Sequence, residues 1–134
     1  MDFKVKDGDN FRTTKCAIAS ATVIEAGDLV ALTAGLITKA VAASTAVAFA
    51  PNGSAAGETE IDVTTGNDFT LIGTADANFA ATNRGTEVDI VGTTTLLIDL
   101  GASATDVLKV SIGINSGTVG SDDEVEVRIN KPLV

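Results

Sequence analysis

The sequence predicts an all-β protein, either a small β-barrel or a β-sandwich, with an extended N-terminal arm and at most one or two short helical turns. Short apolar runs alternate with polar residues, which is the period of a half-buried strand. Turn residues separate these runs about every 8–12 residues, a spacing typical of sandwiches and barrels. The chain has 134 residues and only two prolines, so one domain of paired strands fits its length.

The N-terminal segment differs from the rest of the chain. Phe3 and Val5 alternate there with Lys4 and Lys6, a pattern typical of a strand that could add to another sheet. We therefore predict an N-terminal arm over residues 1–12 and a single β-rich domain over residues 13–134. A frayed terminus is the alternative interpretation.

The first element of the body is predicted to be a β-hairpin between residues 29 and 40. The stretch is rich in alanine and leucine, which favour helix. However, Gly27-Asp28 is a turn signal in front of it, and Gly35 would lie in the middle of the helix. Two short strands around a glycine-containing loop fit this spacing better.

The middle of the chain contains a further series of predicted strands with one interruption. Residues 75–85 lack β-branched side chains until Thr82, so they could hold one helical turn with Asp76 as its cap. The predicted strands lie at 46–50, from about Glu58 through Val63, at 69–75, at 86–92 and at 94–101.

Two strands are predicted near the C-terminus. Residues 107–114 form an apolar run that fits a strand buried on both faces. In residues 121–130 the alternation is strict, and Pro132 ends it because proline cannot donate to a ladder. We expect one face to carry Val125, Val127 and Ile129, and the other to carry Glu124, Glu126, Arg128 and Asn130.

The charge balance limits the expected partners. The chain has 9 basic and 18 acidic residues, for a net charge of −9. Nucleic acids and anionic membranes both reward clustered lysine and arginine, so we expect neither as a partner. The charged N-terminus lacks the apolar core of a signal peptide, and no apolar run approaches the length of a membrane span.

The residue types leave little room for catalysis. The chain contains no histidine, which excludes Ser-His and Cys-His arrangements. Cys16 is the one cysteine, and we expect it to be a buried structural thiol. Two acidic clusters, 6–10 and 121–126, lack the full ligand spacing of a calcium loop and are interpreted as solvated turns. We therefore predict no enzyme, no cofactor and no metal site.

Several segments resemble the head decoration proteins of tailed bacteriophages, also called capsid-stabilising or cementing proteins. The resemblance runs from about Ala26 to Asn130 and rests on an order of short β-segments and turn glycines. The segments are "AGDLVAL", "GLITKA", "AAGETEIDV", "ADANFAATNRGTEVDI", "LIDLG" and "DEVEVRIN".

The resemblance implies a structural virion protein on the outer capsid surface, made in the host cytoplasm. It implies trimers at three-fold positions, with the major capsid protein and other copies of the chain as partners. By position in the family's N-terminal arm, the expected capsid or inter-subunit contacts are Phe3, Lys4, Val5, Lys6, Phe11 and Arg12. The alternatives are another phage part, such as a tail-tube, head–tail joining or fibre-base module, and a small β-module that binds sugar or calcium.

Overall fold

The computed structural model describes residues 2–8 and 12–133, and for residues 7, 8 and 12 it describes the backbone alone. A 3₁₀ turn at Ala81–Asn83 is the one helical element among these residues. The strands are β1 (Phe3–Gly8), β2 (Arg12–Ala17), β3 (Leu29–Thr33), β4 (Leu36–Lys39), β5 (Ala48–Phe49), β6 (Glu60–Thr65), β7 (Phe69–Gly73), β8 (Glu87–Val91), β9 (Leu97–Asp99), β10 (Leu108–Val110) and β11 (Val125–Ile129).

The strands form two antiparallel sheets. One has six strands in the order β1-β7-β11-β10-β8-β9, and the other has five in the order β2-β6-β5-β3-β4. The arrangement resembles a β-sandwich and is not a closed barrel. The all-β prediction is thereby confirmed, and the sandwich is the alternative that fits.

The β3–β4 hairpin confirms the prediction for residues 29–40. Val30 lies opposite Lys39, and Thr33 lies opposite Leu36. The two residues between the strands, Ala34 and Gly35, both have positive φ values, 51° and 82°. This backbone matches the right-handed twist of paired strands, because both central residues of a type I′ turn have positive φ.

The main core lies where the sheets meet. The Phe49 ring of β5 and the Phe69 ring of β7 have centroids 6.4 Å apart and are tilted by 55°. Around them pack the inward residues of β11, Val125, Val127 and Ile129, all at most 1% exposed. A second apolar cluster, which includes Val30 and Ala48, covers the other side of the five-stranded sheet.

Residues 3–8 lie in the body of the protein. They form β1, which pairs antiparallel with β7 so that Phe3 lies opposite Gly73. Phe3 is 1% exposed and belongs to the main core. Its ring fills the space above Gly73, where an added Cβ would lie 2.4 Å from the Phe3 Cε2 atom. This placement corrects the predicted arm, because the described residues of that segment pair within their own chain.

Three local predictions need correction. The strand predicted over residues 107–114 ends at Val110, so the following isoleucines leave the sheet. Asp76 does not cap the 3₁₀ turn: its Oδ1 accepts from the Leu100 amide, and Asn83 Oδ1 accepts from the Ala80 amide instead. Cys16 is partly exposed at the edge of the second core rather than buried.

Candidate functional site

The outward face of the six-stranded sheet carries a charged array. In the sheet register Lys4 lies opposite Ile72, and Ile72 lies opposite Glu126. Farther along the sheet, Lys109 lies between Arg128 and Glu87. We call this surface the outer face, and its charged members are Lys4, Lys6, Glu87, Lys109, Glu124, Glu126 and Arg128.

Two of the ion pairs on the outer face bridge β1 to the β11 region across β7. Lys6 Nζ lies 2.9 Å from Glu126 Oε2, and Lys4 Nζ lies 3.9 Å from Glu124 Oε1. Exposed pairs of this kind add at most about 1 kcal/mol each and exchange readily with other charges. The two lysines are therefore available to an acidic partner surface.

The structure separates the residues that the sequence predicts as contacts. Phe3 is in the core, whereas Lys4, Val5 and Lys6 are exposed. Phe11 lies outside the described residues. Arg12 is described by its backbone, which pairs with Thr65 at the start of β2. Of the six predicted residues, the structure brings the three exposed ones together on β1.

Beyond β10, the chain forms a loop over residues 111–120 that exposes large aliphatic side chains. Ile112 is 81% exposed and Ile114 is 79% exposed, and Val119 is also exposed. We call these three residues the apolar tip. Single exposed aliphatics are common on protein surfaces, but three on one loop of ten residues make this loop a candidate contact site.

Main-chain hydrogen bonds hold this loop at its two ends and in its middle. Ser111 donates to the Glu126 carbonyl at 3.1 Å, and Glu126 donates to the Ser116 carbonyl at 2.7 Å. Gly120 donates to the Phe79 carbonyl at 2.9 Å. The loop is therefore fastened to β11 and to the segment before the 3₁₀ turn.

Side-chain contacts fix the loop further. Gly117 lies against the Phe79 ring so closely that an added Cβ would lie 2.7 Å from a ring carbon. The Arg84 guanidinium is 5.8 Å from the centroid of the same ring and donates to the Ile114 carbonyl at 3.3 Å. The apolar tip is thus held in place before any contact forms, which lowers the entropy lost on binding.

Basic side chains lie near two residues of the apolar tip. Arg84 donates to the Ile114 carbonyl. Ile112 borders a concavity of about 480 Å³ that is also lined by Lys109, Arg128 and Glu126. The third residue, Val119, is followed in the chain by the acidic residues 122–124.

A depression of about 280 Å³ lies beyond the other end of β11. Residues of β3, of the 41–46 loop and of the C-terminus line it; none is charged, but part of the lining is polar, through Thr33, Ser44 and Thr45. The depression also includes the exposed Leu32 and Val41, each 53% exposed, and Leu133, whose amide donates to the Val47 carbonyl.

A buried ionic cluster ties the N-terminus to both sheets. Lys39 Nζ lies 3.3 Å from Asp2 Oδ2 and 3.7 Å from Asp28 Oδ2. Lys39 Nζ also donates to the Thr94 carbonyl, the Leu96 amide donates to Asp2, and the Glu25 amide donates to Asp28. Burial raises the pKa of the Asp28 carboxyl above its usual value, against the opposing effects of the Glu25 amide and of Lys39.

A second buried carboxylate organises the loop after β9. Asp89 accepts hydrogen bonds from the amides of Ala104, Thr105 and Asp106 at 2.8–2.9 Å. Burial works to raise the pKa of Asp89, but these amides outweigh it and lower the pKa below its usual value. Both carboxylates have structural partners, and we assign them structural roles.

The described residues contain no group of three or more histidine, cysteine, aspartate or glutamate side chains placed to hold a metal ion. In the same part of the chain, no helix has the length and apolar character needed to cross a membrane. Comparison of the chain with protein-family models, with curated proteins and with solved structures finds no match in any of the three.

Proposed function

We propose that this chain is a structural protein of a bacteriophage particle, which decorates the outer surface of the capsid and stabilises the shell as trimers at three-fold positions. The major capsid protein and other copies of the chain are then its partners, and the virion surface is its location. The resemblance of residues 26–130 to head decoration proteins supports this function.

The observation that carries the proposal is the fixed apolar tip. A chain with net charge −9 keeps Ile112 and Ile114 about four-fifths exposed on a loop that hydrogen bonds hold in place. Exposed aliphatics on a rigid loop favour burial against another protein and would be a liability on a free monomer. In a protein that assembles with others, such a loop can bury its aliphatic side chains in a contact.

The capsid contact is proposed to lie on β1. Lys4, Val5 and Lys6 are exposed there and project from an edge strand of the six-stranded sheet. Phe3 is excluded from this contact because it is buried in the core of its own chain. Basic side chains on an acidic protein can steer it towards an acidic surface while the rest of the chain is repelled.

The test uses phage particles assembled with and without this chain and separated on a density gradient. We expect the chain to band with the particles at close to one copy per copy of the major capsid protein. We also expect particles without it to burst at a lower temperature. A few copies per particle would indicate a tail, head–tail joining or fibre-base part, and absence from the band would refute both structural functions.

A matched pair of variants locates the contact. We expect Lys6→Glu to bind purified particles much more weakly than the wild-type chain. Lys15→Glu is the control, because Lys15 is an exposed lysine on the other sheet, where it pairs with Asp62 at 3.2 Å. Equal loss in the control would show that net charge, rather than β1, determines binding.

A further inference from the structure

We infer that the buried ionic cluster is a site of covalent self-modification, in which Lys39 and Asp2 join through an amide bond with Asp28 as the proton carrier. The reaction is intramolecular and occurs once in each chain, so it differs from enzymatic turnover. A bond of this kind goes beyond the proposed function and is independent of it, because it needs neither a capsid nor a second copy.

One lysine lies between two carboxylates in this cluster. Lys39 Nζ is 3.3 Å from Asp2 Oδ2 and 3.7 Å from Asp28 Oδ2. The side chains of Asp28 and Asp2 are 1% and 6% exposed, and that of Lys39 is 25% exposed. The amine and the carboxyl group are therefore in contact and largely removed from water, and the partial exposure of Lys39 leaves a way out for a released water molecule.

Main-chain hydrogen bonds hold the three residues in this arrangement. The amide of the residue after Asp2 donates to the carbonyl of the residue before Asp28 at 2.9 Å. The amide of the residue after Lys39 donates to the carbonyl of the residue after Asp28 at 3.0 Å. Groups that are held in contact and well oriented react as if at an effective concentration of about 10⁵–10⁸ M. The fold therefore supplies the proximity that amide formation needs.

The surroundings of the cluster favour the uncharged product. The residues next to the cluster in the chain, which belong to the main core and are at most 1% exposed, are Phe3, Leu29 and Ala40. Asp28 Oδ1 is buried and has no hydrogen-bond partner among the described residues. A buried ion pair is costly when its polar atoms are not all satisfied. Replacing the charged pair by a neutral amide removes part of this cost.

The reaction balances without any co-reactant. Asp28 takes one proton from the Lys39 ammonium, and the free Nζ attacks the carboxyl carbon of Asp2, so that a C–N bond forms. The Leu96 amide donates to Asp2 Oδ2 at 3.1 Å and stabilises the negative charge that builds on this oxygen. The bond from the carboxyl carbon to the other oxygen then breaks. That oxygen leaves as water with the proton from Asp28 and a second proton from Nζ, and the amide keeps the third.

A second lysine–aspartate pair provides a matched comparison within the same chain. Lys15 Nζ lies 3.2 Å from Asp62 Oδ1, which is as close as the contact between Lys39 and Asp2. Its side chains are 65% and 35% exposed, so water solvates both charges. We expect this exposed pair to stay ionic.

Intact-mass spectrometry of the denatured full chain tests the bond. We expect the wild-type chain, once folded, to become lighter by one water molecule, and Lys39→Arg, which keeps the positive charge, to retain its full mass. After trypsin digestion, the peptide that ends at Lys4 should be joined to the peptide that contains Lys39, while Lys15 and Asp62 stay unlinked. A wild-type chain that is folded by circular dichroism and keeps its full mass refutes the bond.

The position of the lost water also decides the outcome, because an aspartate before a glycine loses water when it cyclises to a succinimide. Asp7 precedes Gly8 in this chain. Fragment masses that place the loss at Asp7, or a loss that persists in Lys39→Arg, overturn the assignment to Asp2 and Lys39.

The role of Asp28 is tested by the rate of the mass change in chain sampled over time during cell-free synthesis. Asp28→Asn should slow the loss of water at least about 100-fold, because general acid–base catalysis contributes about 10²–10⁴-fold. The control is Asp89→Asn, the same substitution at a buried carboxylate that belongs to another loop, and its rate should match wild type. Equal rates in Asp28→Asn and wild type overturn the assigned proton transfer.

Discussion

Replacing Phe3 by alanine will destabilise the whole protein, although Phe3 is the third residue of the chain. The side chain is 1% exposed in the main core, so the ring and its contacts are lost in full. Truncation of a buried phenylalanine to alanine costs about 3–5 kcal/mol, out of a total of about 5–15 kcal/mol for a typical domain.

Urea denaturation followed by circular dichroism measures this loss. For an m-value of about 1–3 kcal/mol per molar urea, the loss lowers the unfolding midpoint by at least about 1 M. The control is Lys4→Ala, at the next position on the same strand, where the side chain is exposed. Its change should stay within about 0.5 kcal/mol.

A second substitution shows whether the loss comes from the specific contact with β7. In the wild-type chain, Gly73→Ala would put a Cβ 2.4 Å from the Phe3 ring, and such overpacking costs about 1–3 kcal/mol. In the Phe3→Ala background the ring is absent, so Gly73→Ala should cost nothing. Equal costs in the two backgrounds, or an unchanged midpoint for Phe3→Ala, would refute the placement of β1 in the body.

Three further predictions concern carboxylates and a turn. Asp89→Asn should cost about 1–3 kcal/mol at neutral pH, and because the pKa of Asp89 is lowered, this difference from wild type should vanish as the pH falls below that pKa. In a carbon-13 NMR titration the pKa of Asp28 should lie above 3.8 and that of Asp89 below it, so that Asp28, unlike Asp89, lowers stability as the pH rises past 3.8; a midpoint on the other side of 3.8 would contradict the assignment. Ala34→Asn should raise the free energy of unfolding by about 0.5–1 kcal/mol because Asn tolerates the positive φ of 51°, and an unchanged urea midpoint would count against a strained alanine there.

Local sequence patterns predicted the elements that the arrangement of neighbouring residues determines. The alternation of Val125, Val127 and Ile129 with charged residues gave β11 its correct faces, because one residue in two meets the core. The β3–β4 hairpin was equally predictable, since Gly35 supplies a backbone conformation that a helix does not use. In both cases neighbouring residues determine the structure.

The sequence could not indicate where β10 ends, because the alternation of apolar residues continues beyond the strand. Ile112 and Ile114 continue the apolar alternation of β10. However, Ser111 donates to the Glu126 carbonyl, whereas the Glu126 amide donates to Ser116 in the middle of the loop. This change of hydrogen-bond partner involves residues that are distant in the sequence. The glycine and serine content of residues 111–120 was the one local signal that could have indicated a loop.

The same limit applies to the N-terminus and to the ionic cluster. Alternation around Phe3 predicted a strand but not its partner, which lies near Gly73. Asp2, Asp28 and Lys39 meet only because the N-terminus, the turn before β3 and the end of β4 come together. The spacing of residues in the sequence does not indicate such long-range contacts. The pattern of β1 therefore fitted a strand that pairs with another chain as well as one that pairs within its own chain.

Because β1 pairs with β7, it stays unpaired during synthesis until β7 has been made. After Phe3, 70 more residues are added up to and including Gly73, which takes roughly 4–14 s at about 5–20 residues per second, and β11 completes the sheet only later. Until β7 has been synthesised, β1 is without its partner strand. Lys4 and Lys6 flank Val5, and charged lysines on an unpaired strand discourage pairing with other nascent chains. The lysines that lie on the surface of the folded protein therefore also protect the incomplete chain from aggregation.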